Sequence, residues 1–535
     1  MKRRLLIAAI LVGAAPCVTS GQSSRLANAG KAGLYVSSLE QVLRLRDEQM
    51  DLATAALIAS EYWSDMVAGR RYLEQLDMMA LEIRARLRQQ RVRADYGAIP
   101  IINHYLFNEL GFTTIERADD PNDLFLHSVM DRRRGYCLSL SVLYLSLAER
   151  LGLNLYGVVV PGHFFVRYDD GRTHVNIETT SGGANPTDEQ YIEKFNVPRN
   201  GRDTIYMKNL TKRQVLGCFF NNLGNVYNDI GDIDTAQRAL ERATTINPTL
   251  SESRVNLGNI YLQKGLVDDA IQQYEAALGI NPKDPKTYRN LGDAFVQIDL
   301  LDRGIASYRQ AISLDPNFTD AHRNLALVYT RREQYSQALN ALRQALNLEP
   351  QNAAIYDQFG EVYRCLKEPT KAIGFYLKAL GLKRDSAETY FGLGLCYRQL
   401  GQLPSEIQAY RNALAIKPDL AAALVNLGNA YFEQKQYDQA IENYIRAIEV
   451  KPDDAWIYYN LGAAYASSSD FTQAVGAYQQ AVTLDPGIAD AHQGLAYGFY
   501  MLQRYDLAWR HINLAKQLGA KVPDDQIEAI RSRLN

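Results

Sequence analysis

The sequence predicts a multidomain protein in which a small α+β domain precedes an all-α superhelix of repeated helical hairpins. Two patterns carry that prediction. Pro248, Pro282, Pro316, Pro350, Pro418, Pro452 and Pro486 fall on one 34-residue grid, the period of a two-helix unit stacked many times. Ahead of the grid, Arg134-Gly135-Tyr136-Cys137 opens an apolar helical run and Gly157-Val158-Val159-Val160 reads as a buried strand. Pro161-Gly162 then turns the chain back to present His163. At 535 residues the chain exceeds what one hydrophobic core normally serves, so at least two domains are expected.

Residues 1–21 read as a secretory signal. Lys2, Arg3 and Arg4 form a positive start and residues 5–15 an apolar core too short to span a bilayer, which places the mature protein in the periplasm or outside the cell. Cys17 raises a lipid-anchor alternative, against which Pro16 directly before it argues. No other stretch approaches the ~20 apolar residues of a membrane helix.

Residues 31–200 are expected to form the α+β domain. Apolar residues recur with helical spacing at Leu34, Leu39, Val42 and Leu43, at Ala55, Leu57 and Ile58, and at Leu73, Leu76, Met79, Leu81 and Ile83. Arg84, Arg86, Arg88, Arg91 and Arg93 read as the solvated face of the last of these helices. Pro100 opens a further helix that Gly111 closes, and Pro198 and Gly201 mark a linker.

Chemistry concentrates between residues 134 and 178. Cys137 stands in the first turn of a helix, where unpaired N–H groups and the positive dipole end favour a thiolate. His163, at the start of a strand, is the type of base that activates a thiol. Asn176 and Glu178 share one face of a following strand by the two-residue alternation, so either can orient the imidazole. Asn122 is a candidate oxyanion donor, while Ser139 and Ser141 read as packing on the helix.

The pieces Arg134-Gly135-x-Cys137-x-Ser139-Leu140, Ala148-Glu149-Arg150-Leu151-Gly152-Leu153 and Pro161-Gly162-His163-Phe164, with Leu110-Gly111-Phe112 and Asp120-Pro121-Asn122 upstream, resemble the transglutaminase-like, papain-like superfamily and its bacterial SirB-type branch. The resemblance covers roughly residues 35–200. It implies an α+β papain-like fold, Cys137 as nucleophile and His163 as base. The family's third residue is usually Asp, and the matching position here is Glu178, one methylene longer.

Residues 211–522 hold nine copies of the 34-residue unit, marked by Leu223-Gly224, Leu257-Gly258, Leu291-Gly292, Leu325-Ala326, Phe359-Gly360, Leu393-Gly394, Leu427-Gly428, Leu461-Gly462 and Leu495-Ala496. These are identified as tetratricopeptide repeats. Ala236, Ala270, Ala338, Ala372, Ala440, Ala474 and Ala508 keep the helix crossing small, whereas Gly304 and Glu406 depart from the pattern, and Glu406 marks repeat six as the weaker joint. Residues 523–535 are expected to cap the last apolar face. Asn222, Asn256, Asn290, Asn324, Asn426 and Asn460 share one phase on the first helices, and amides in such a row can hold an extended peptide backbone without reading its sequence.

A net charge of −2 argues against nucleic acid as the main partner, because phosphate binding needs a concentrated basic face. Cys137, Cys218, Cys365 and Cys396 lack the spacing of a metal knuckle, so no metal site and no cofactor are expected. Two functions stay open. One is an exported cysteine amidohydrolase, peptidase or acyl transferase acting on a recruited protein. The other is a catalytically inactive adaptor or scaffold that binds proteins through its repeats. Hydrolysis and transamidation differ in whether water or an amine reaches the acyl-enzyme, and the sequence leaves that open as well.

Overall fold

The computed structural model describes residues 36, 38–63, 69–197 and 205–534. The signal segment with Cys17, and Pro198 and Gly201 of the linker, lie outside the described residues. The chain divides into two compact units, residues 1–300 and 301–535.

The first unit is built around a helix that is buried along nearly its whole length. Its helices are α1 (Leu52–Trp63), α2 (Gly69–Gln90), α3 (Ile99–Asn103), α4 (Leu126–Arg132) and α5 (Cys137–Leu151). A three-stranded antiparallel sheet of β1 (Leu155–Val160), β2 (His163–Asp169) and β3 (His174–Ile177) follows, then α6 (Asp188–Lys194), α7 (Lys212–Asp229) and α8 (Ile233–Ile246). Leu138, Leu140, Val142, Leu143, Tyr144 and Leu147 of α5 are all buried, because this helix packs against α1, α2, α4 and the sheet at once. Gly152 ends it in the left-handed conformation at φ +78°.

The predicted strand and turn occupy their expected places, with β1 starting at Leu155, two residues before Gly157. Val160 pairs with His163 across Pro161-Gly162, and Gly162 sits at φ +72°, as a tight turn with Pro first and a left-handed residue second requires. On the other side of β1, Met207 N–H donates to Val159 and Leu210 N–H to Gly157, so the segment leading out of the domain lengthens the sheet. The helix predicted after Pro100 begins at Ile99 and continues from His104 to Glu109 with wider π-type turns.

One hydrophobic core runs from Val36 through Leu250, so α7 and α8, the first repeat, are packed into the thiol domain. Phe219 lies 5.9 Å from Phe125 and Phe220 6.4 Å from Trp63, centroid to centroid. The buried Glu149 carboxylate seals the seam, accepting from the Leu52 N–H at 3.0 Å at the start of α1 and pairing with Lys212 at the start of α7. A carboxylate at a helix N-terminus is favoured by the dipole, and the ammonium offsets its loss of water. Two further helices, Ser251–Gln263 and Val267–Ile280, then Pro285–Gln297, continue the repeats within this unit.

The second unit is helical throughout its described residues, from Leu301–Leu314 to Tyr505–Gln517, ending in the short helix Asp524–Arg531, which buries Ile530. The hairpins show why the repeat needs its small residues. Ala338, Ala372, Ala440, Ala474 and Ala508 are fully buried. A Cβ on Gly428 would stand 2.6 Å from the Tyr444 ring and one on Gly394 2.3 Å from that of Tyr410, so the eighth-position glycine is the seat of the repeat's own tyrosine. The buried tyrosine then gives its hydroxyl hydrogen to the polar residue directly after the glycine: Tyr444 to Asn429 at 2.7 Å and Tyr376 to Glu361 at 3.0 Å.

Repeat six breaks this arrangement. Leu395 stands where Asn429 and Glu361 stand in their repeats, and the buried Tyr410 hydroxyl has no hydrogen-bond partner among the described residues. Glu406 is buried nearby, and burial pushes its carboxyl up to about 7, against the pull of Arg398. Replacing Tyr444 with Phe is therefore expected to cost about 1 kcal/mol, whereas Tyr410→Phe is neutral or stabilising, since only the first removes a hydrogen bond. Chemical denaturation of the two variants, followed by circular dichroism, checks the contrast.

Candidate active site

The site begins at the first turn of α5. Gly135 pairs in parallel with Thr114 and is buried so closely that a Cβ would meet Ser139 Oγ at 2.9 Å. Tyr136 is the residue before the helix, and its N–H donates to Ser139 Oγ at 2.9 Å, which in turn donates to the Asp123 carbonyl. Ser139 thus fastens the helix start. Cys137 follows as the first helical residue and is 4% exposed. The Tyr136 phenol lies against the thiol, and burial with that contact pushes it up to about 12.

His163 begins β2, and its ring is stacked face to face on Phe195 at 4.8 Å and 4°. Its Nε2 lies 2.7 Å from Glu178 Oε2. With Nε2 engaged by Glu178, Nδ1 is the ring nitrogen left for the Cys137 thiol. Burial pulls the imidazole pKa down, but hydrogen bonding to Cys137 and Glu178 outweighs it and raises the group to about 9. Glu178 shows the mirror image: burial pushes its carboxyl up, and the bonds from His163 and Thr180 bring it down to about 2.

Glu178 ends the strand segment at the start of a tight loop. Its Oε1 accepts from Thr180 N–H at 3.0 Å and from Thr180 Oγ1 at 2.5 Å, and its Oε2 accepts from the Tyr191 hydroxyl at 2.8 Å. The loop is tied back to α5 through Ser141 Oγ and Thr179 Oγ1 at 3.0 Å, and to α3 through Asn103, whose amide donates to the Gly183 carbonyl at 3.0 Å.

Asn176, two residues earlier, belongs to a different network. Its Oδ1 accepts from Arg167 Nε at 2.8 Å, and its Nδ2 donates to Asp188 Oδ1 at 2.7 Å and to the Pro186 carbonyl at 3.0 Å. The Arg167 guanidinium is buried, pairs with Asp188 at 2.8 Å and fastens the first turn of α6 to β2. Asn122 lies in a turn after Pro121, and its Nδ2 donates to Asp120 Oδ1 at 2.9 Å. The structure therefore brings Cys137, His163 and Glu178 together and places Asn176 and Asn122 in other contacts.

On the repeats the six asparagines are half-buried. In the first unit, Asn222 Oδ1 is 3.5 Å from Asn221 Nδ2, Asn256 Nδ2 donates to Asn221 Oδ1 at 3.0 Å and Asn290 Nδ2 to Asn259 Oδ1 at 3.0 Å. Those last two amides bridge adjacent repeats. In the second unit Asn426 accepts from Arg398 at 2.7 Å and donates to the Ala422 carbonyl at 2.8 Å, and Asn324 and Asn460 lie at the same phase.

Sequence reasoning passed over Thr180, Tyr191 and Phe195, which surround the acid and the base. The available signal was Thr187-x-x-Gln190, whose reciprocal caps start α6 and fix Tyr191 and Phe195 one turn apart on one face.

Among the described residues no three His, Cys, Asp or Glu side chains gather as a metal site would need, and no helix is long and apolar enough to cross a membrane.

A cysteine at the start of a buried helix, with histidine and acid on the adjoining sheet, defines a transglutaminase-like domain, and residues 70–218 match the transglutaminase-like superfamily. Tetratricopeptide families match residues 219–250, 258–299, 285–318, 319–352, 394–435, 428–469 and 455–487. The chain is 30% identical over 224 residues to a UPF0162 protein of Xylella fastidiosa strain Temecula1, covering 39% of this chain and 75% of that one. It belongs to the UPF0162 family. A UPF0162 protein of Pseudomonas aeruginosa is 26% identical over 180 residues, 33% of this chain and 64% of that one. The solved structure of pilF from Pseudomonas aeruginosa is similar at 20% identity and a TM-score of 0.37, over 40% of this chain and 97% of that one.

The His163–Glu178 pair fixes a pH window. A histidine raised to about 9 contributes stability in full below its ordinary ~6.5 and loses it as pH rises through about 9, while a carboxyl lowered to about 2 contributes above its ordinary ~4.3 and loses it as pH falls through about 2. Stability from the pair is expected to plateau between those ordinary values. With Glu178→Gln the His163 midpoint is expected to fall to ~6.5 or below, because burial remains and the carboxylate is gone. Nuclear magnetic resonance titration of the ring checks it.

Proposed function

We propose that the protein is an exported, protein-recruiting thiol enzyme that cleaves or exchanges an amide bond on a protein held by its repeats. Cys137 is the nucleophile, His163 the acid and base, and Glu178 the residue that orients and charges the imidazole. The observation that carries this reading is the 2.7 Å contact of His163 Nε2 with Glu178, which leaves Nδ1 for the thiol. Asn176, committed to Arg167 and Asp188, is the weaker candidate for the orienting role.

In the reaction, the Cys137 thiolate attacks a carboxamide or peptide carbonyl. The imidazolium of His163 gives its proton to the departing amine as the C–N bond breaks, leaving a thioester on sulfur. Water or a second amine then attacks the thioester, His163 takes the proton, and the C–S bond breaks to release an acid or a new amide. One N–H of the Asn122 amide is committed to Asp120, and its second is offered as a donor to the oxyanion.

The divisions that go with this reading are a signal at 1–21, the thiol domain at 31–200, the recruiting repeats at 211–522 and the cap at 523–535. A recruited segment would lie along Asn222, Asn256 and Asn290 in the first unit, or along Asn324, Asn426 and Asn460 in the second. A second reading, an inactive adaptor, is favoured by one observation: Cys137 is 4% exposed, so a substrate must displace something to reach it.

Iodoacetamide separates the two. Cys137 is expected to be alkylated at neutral pH at least tenfold faster than an unperturbed thiol, and His163→Ala to abolish the difference. A peptide bearing an electrophile in place of the scissile carbonyl should label Cys137 alone. Labelling at the rate of a free thiol, unaffected by His163→Ala, would leave the adaptor reading standing.

Binding is tested apart from chemistry. Exchanging Asn222, Asn256 and Asn290 together for Ala is expected to weaken partner capture about tenfold to a few hundredfold. The loss of two inter-repeat hydrogen bonds should lower stability by about 1 kcal/mol each. Pull-down at matched folded concentration shows whether capture falls further than stability does, and unchanged capture would remove the asparagines from the binding surface.

A further inference from the structure

Glu178 presents a problem that an aspartate at the same place would not. Its extra methylene adds a torsion, and an acid that must hold an imidazole in one plane loses more freedom when it is longer. The structure shows what restrains it. Both oxygens are saturated: Thr180 supplies two donors to Oε1, and Oε2 is shared between His163 Nε2 at 2.7 Å and the Tyr191 hydroxyl at 2.8 Å.

Tyr191 is itself held by packing. It is buried, lies flat on Phe165 with centroids 3.9 Å apart at 8°, and stands 6.3 Å from the His163 ring at 24°. One turn later Phe195 covers the other ring contact of His163. The helix that carries both is fastened by the Arg167–Asp188 pair to the strand that carries His163. A carboxylate oxygen has two lone pairs, so Oε2 accepts from the Tyr191 hydroxyl and from His163 Nε2 at once.

We infer that Tyr191 is a positioning residue of the thiol site: its hydroxyl pins Oε2 of the longer Glu178 side chain in line with His163 Nε2. This rests on the reading of Cys137, His163 and Glu178 as the reacting set. It also gives the buried carboxylate a hydrogen bond that persists when His163 passes its proton to a leaving amine. At that moment Glu178 is a buried anion beside a neutral ring, and Tyr191 with Thr180 keeps it from taking the proton. The ionisable groups facing His163 are Cys137 from α5, Glu178 from the end of the sheet and Tyr191 from α6, with Lys194 behind the Phe195 ring at 5.2 Å.

The test uses the full chain and a double-mutant cycle of Tyr191→Phe and Glu178→Asp, read by resonance titration of His163 and by iodoacetamide labelling of Cys137 across pH. Tyr191→Phe keeps the ring on Phe165 and removes only the hydroxyl. It is expected to lower the His163 midpoint by about one unit and to slow Cys137 labelling about three- to tenfold at neutral pH. In the Glu178→Asp background, where the shorter acid no longer reaches the phenol, removing the hydroxyl is expected to add nothing.

An unchanged or raised midpoint in Tyr191→Phe would make the phenol a packing group or a mere competitor for Oε2. Equal effects in the two backgrounds would overturn the inference as well, since the hydroxyl would then act without Glu178. The two readings fail separately. A wild-type Cys137 that labels like a free thiol defeats the nucleophile, while the His163 titration still decides the role of Tyr191.

Discussion

A buried carboxylate must be surrounded by donors or lose its charge, and Glu178 organises the thiol domain by that requirement. Its side chain takes donors from three places: the loop after the sheet supplies Thr180, β2 supplies His163 and α6 supplies Tyr191. Each donor brings its element with it. The loop is held to α5 through Thr179 and Ser141, and α6 is held to β2 through Arg167 and Asp188. The helix that starts at Cys137, the strand that starts at His163 and the helix behind them are thereby fixed around one ionised oxygen pair. Burial alone would leave His163 neutral at ordinary pH, and the carboxylate and the thiol beside it reverse that.

The repeats obey a different constraint, one of volume. A glycine at the eighth position lets the tyrosine of the same repeat lie against the first helix, and the polar residue directly after the glycine satisfies its hydroxyl. Packing and hydrogen bonding are thus two demands on the same ring. Repeat six meets the first, with Gly394 under Tyr410, and fails the second, with Leu395 in the polar place. It also buries Glu406 where other repeats bury alanine. With its carboxyl raised to about 7, Glu406 costs the folded form stability progressively as pH rises from the ordinary ~4.3 to about 7, where the loss is complete, so this joint is weaker at neutral than at mildly acid pH.

Much of this was legible in the sequence because it is periodic or local. The 34-residue grid fixes helix pairs by repetition, and a turn of Pro161-Gly162 after a Val run fixes strand, hairpin and the start of β2 without any long-range knowledge. The anomaly at Glu406 was visible as a break in the alanine column. What the sequence did not disclose depends on side chains meeting across elements. By strand alternation Asn176 and Glu178 share a face, and alternation has no means of telling that Arg167 and Asp188 engage one while Tyr191 and Thr180 engage the other. Tyr410's lack of a partner was equally hidden, since it follows from where the Tyr376 and Tyr444 hydroxyls go.

The seam between the thiol domain and the first repeat changes how recruitment and chemistry relate within the first unit. Sequence alone separates them at a Pro- and Gly-marked linker, yet α7 shares the core of the thiol domain, and the superfamily match itself runs on to residue 218, inside that helix. Phe219 and Phe220 fill space beside Phe125 and Trp63, and Lys212 answers the buried Glu149. Removing the repeats would expose those aromatic rings and leave a buried carboxylate without its cation, a loss that small domains seldom survive. The first repeat is therefore part of the thiol domain's foundation. Helix α8 packs on α7, and the next repeat, with Asn256, packs on both, so the first amides of the row are held by the same body that holds Cys137.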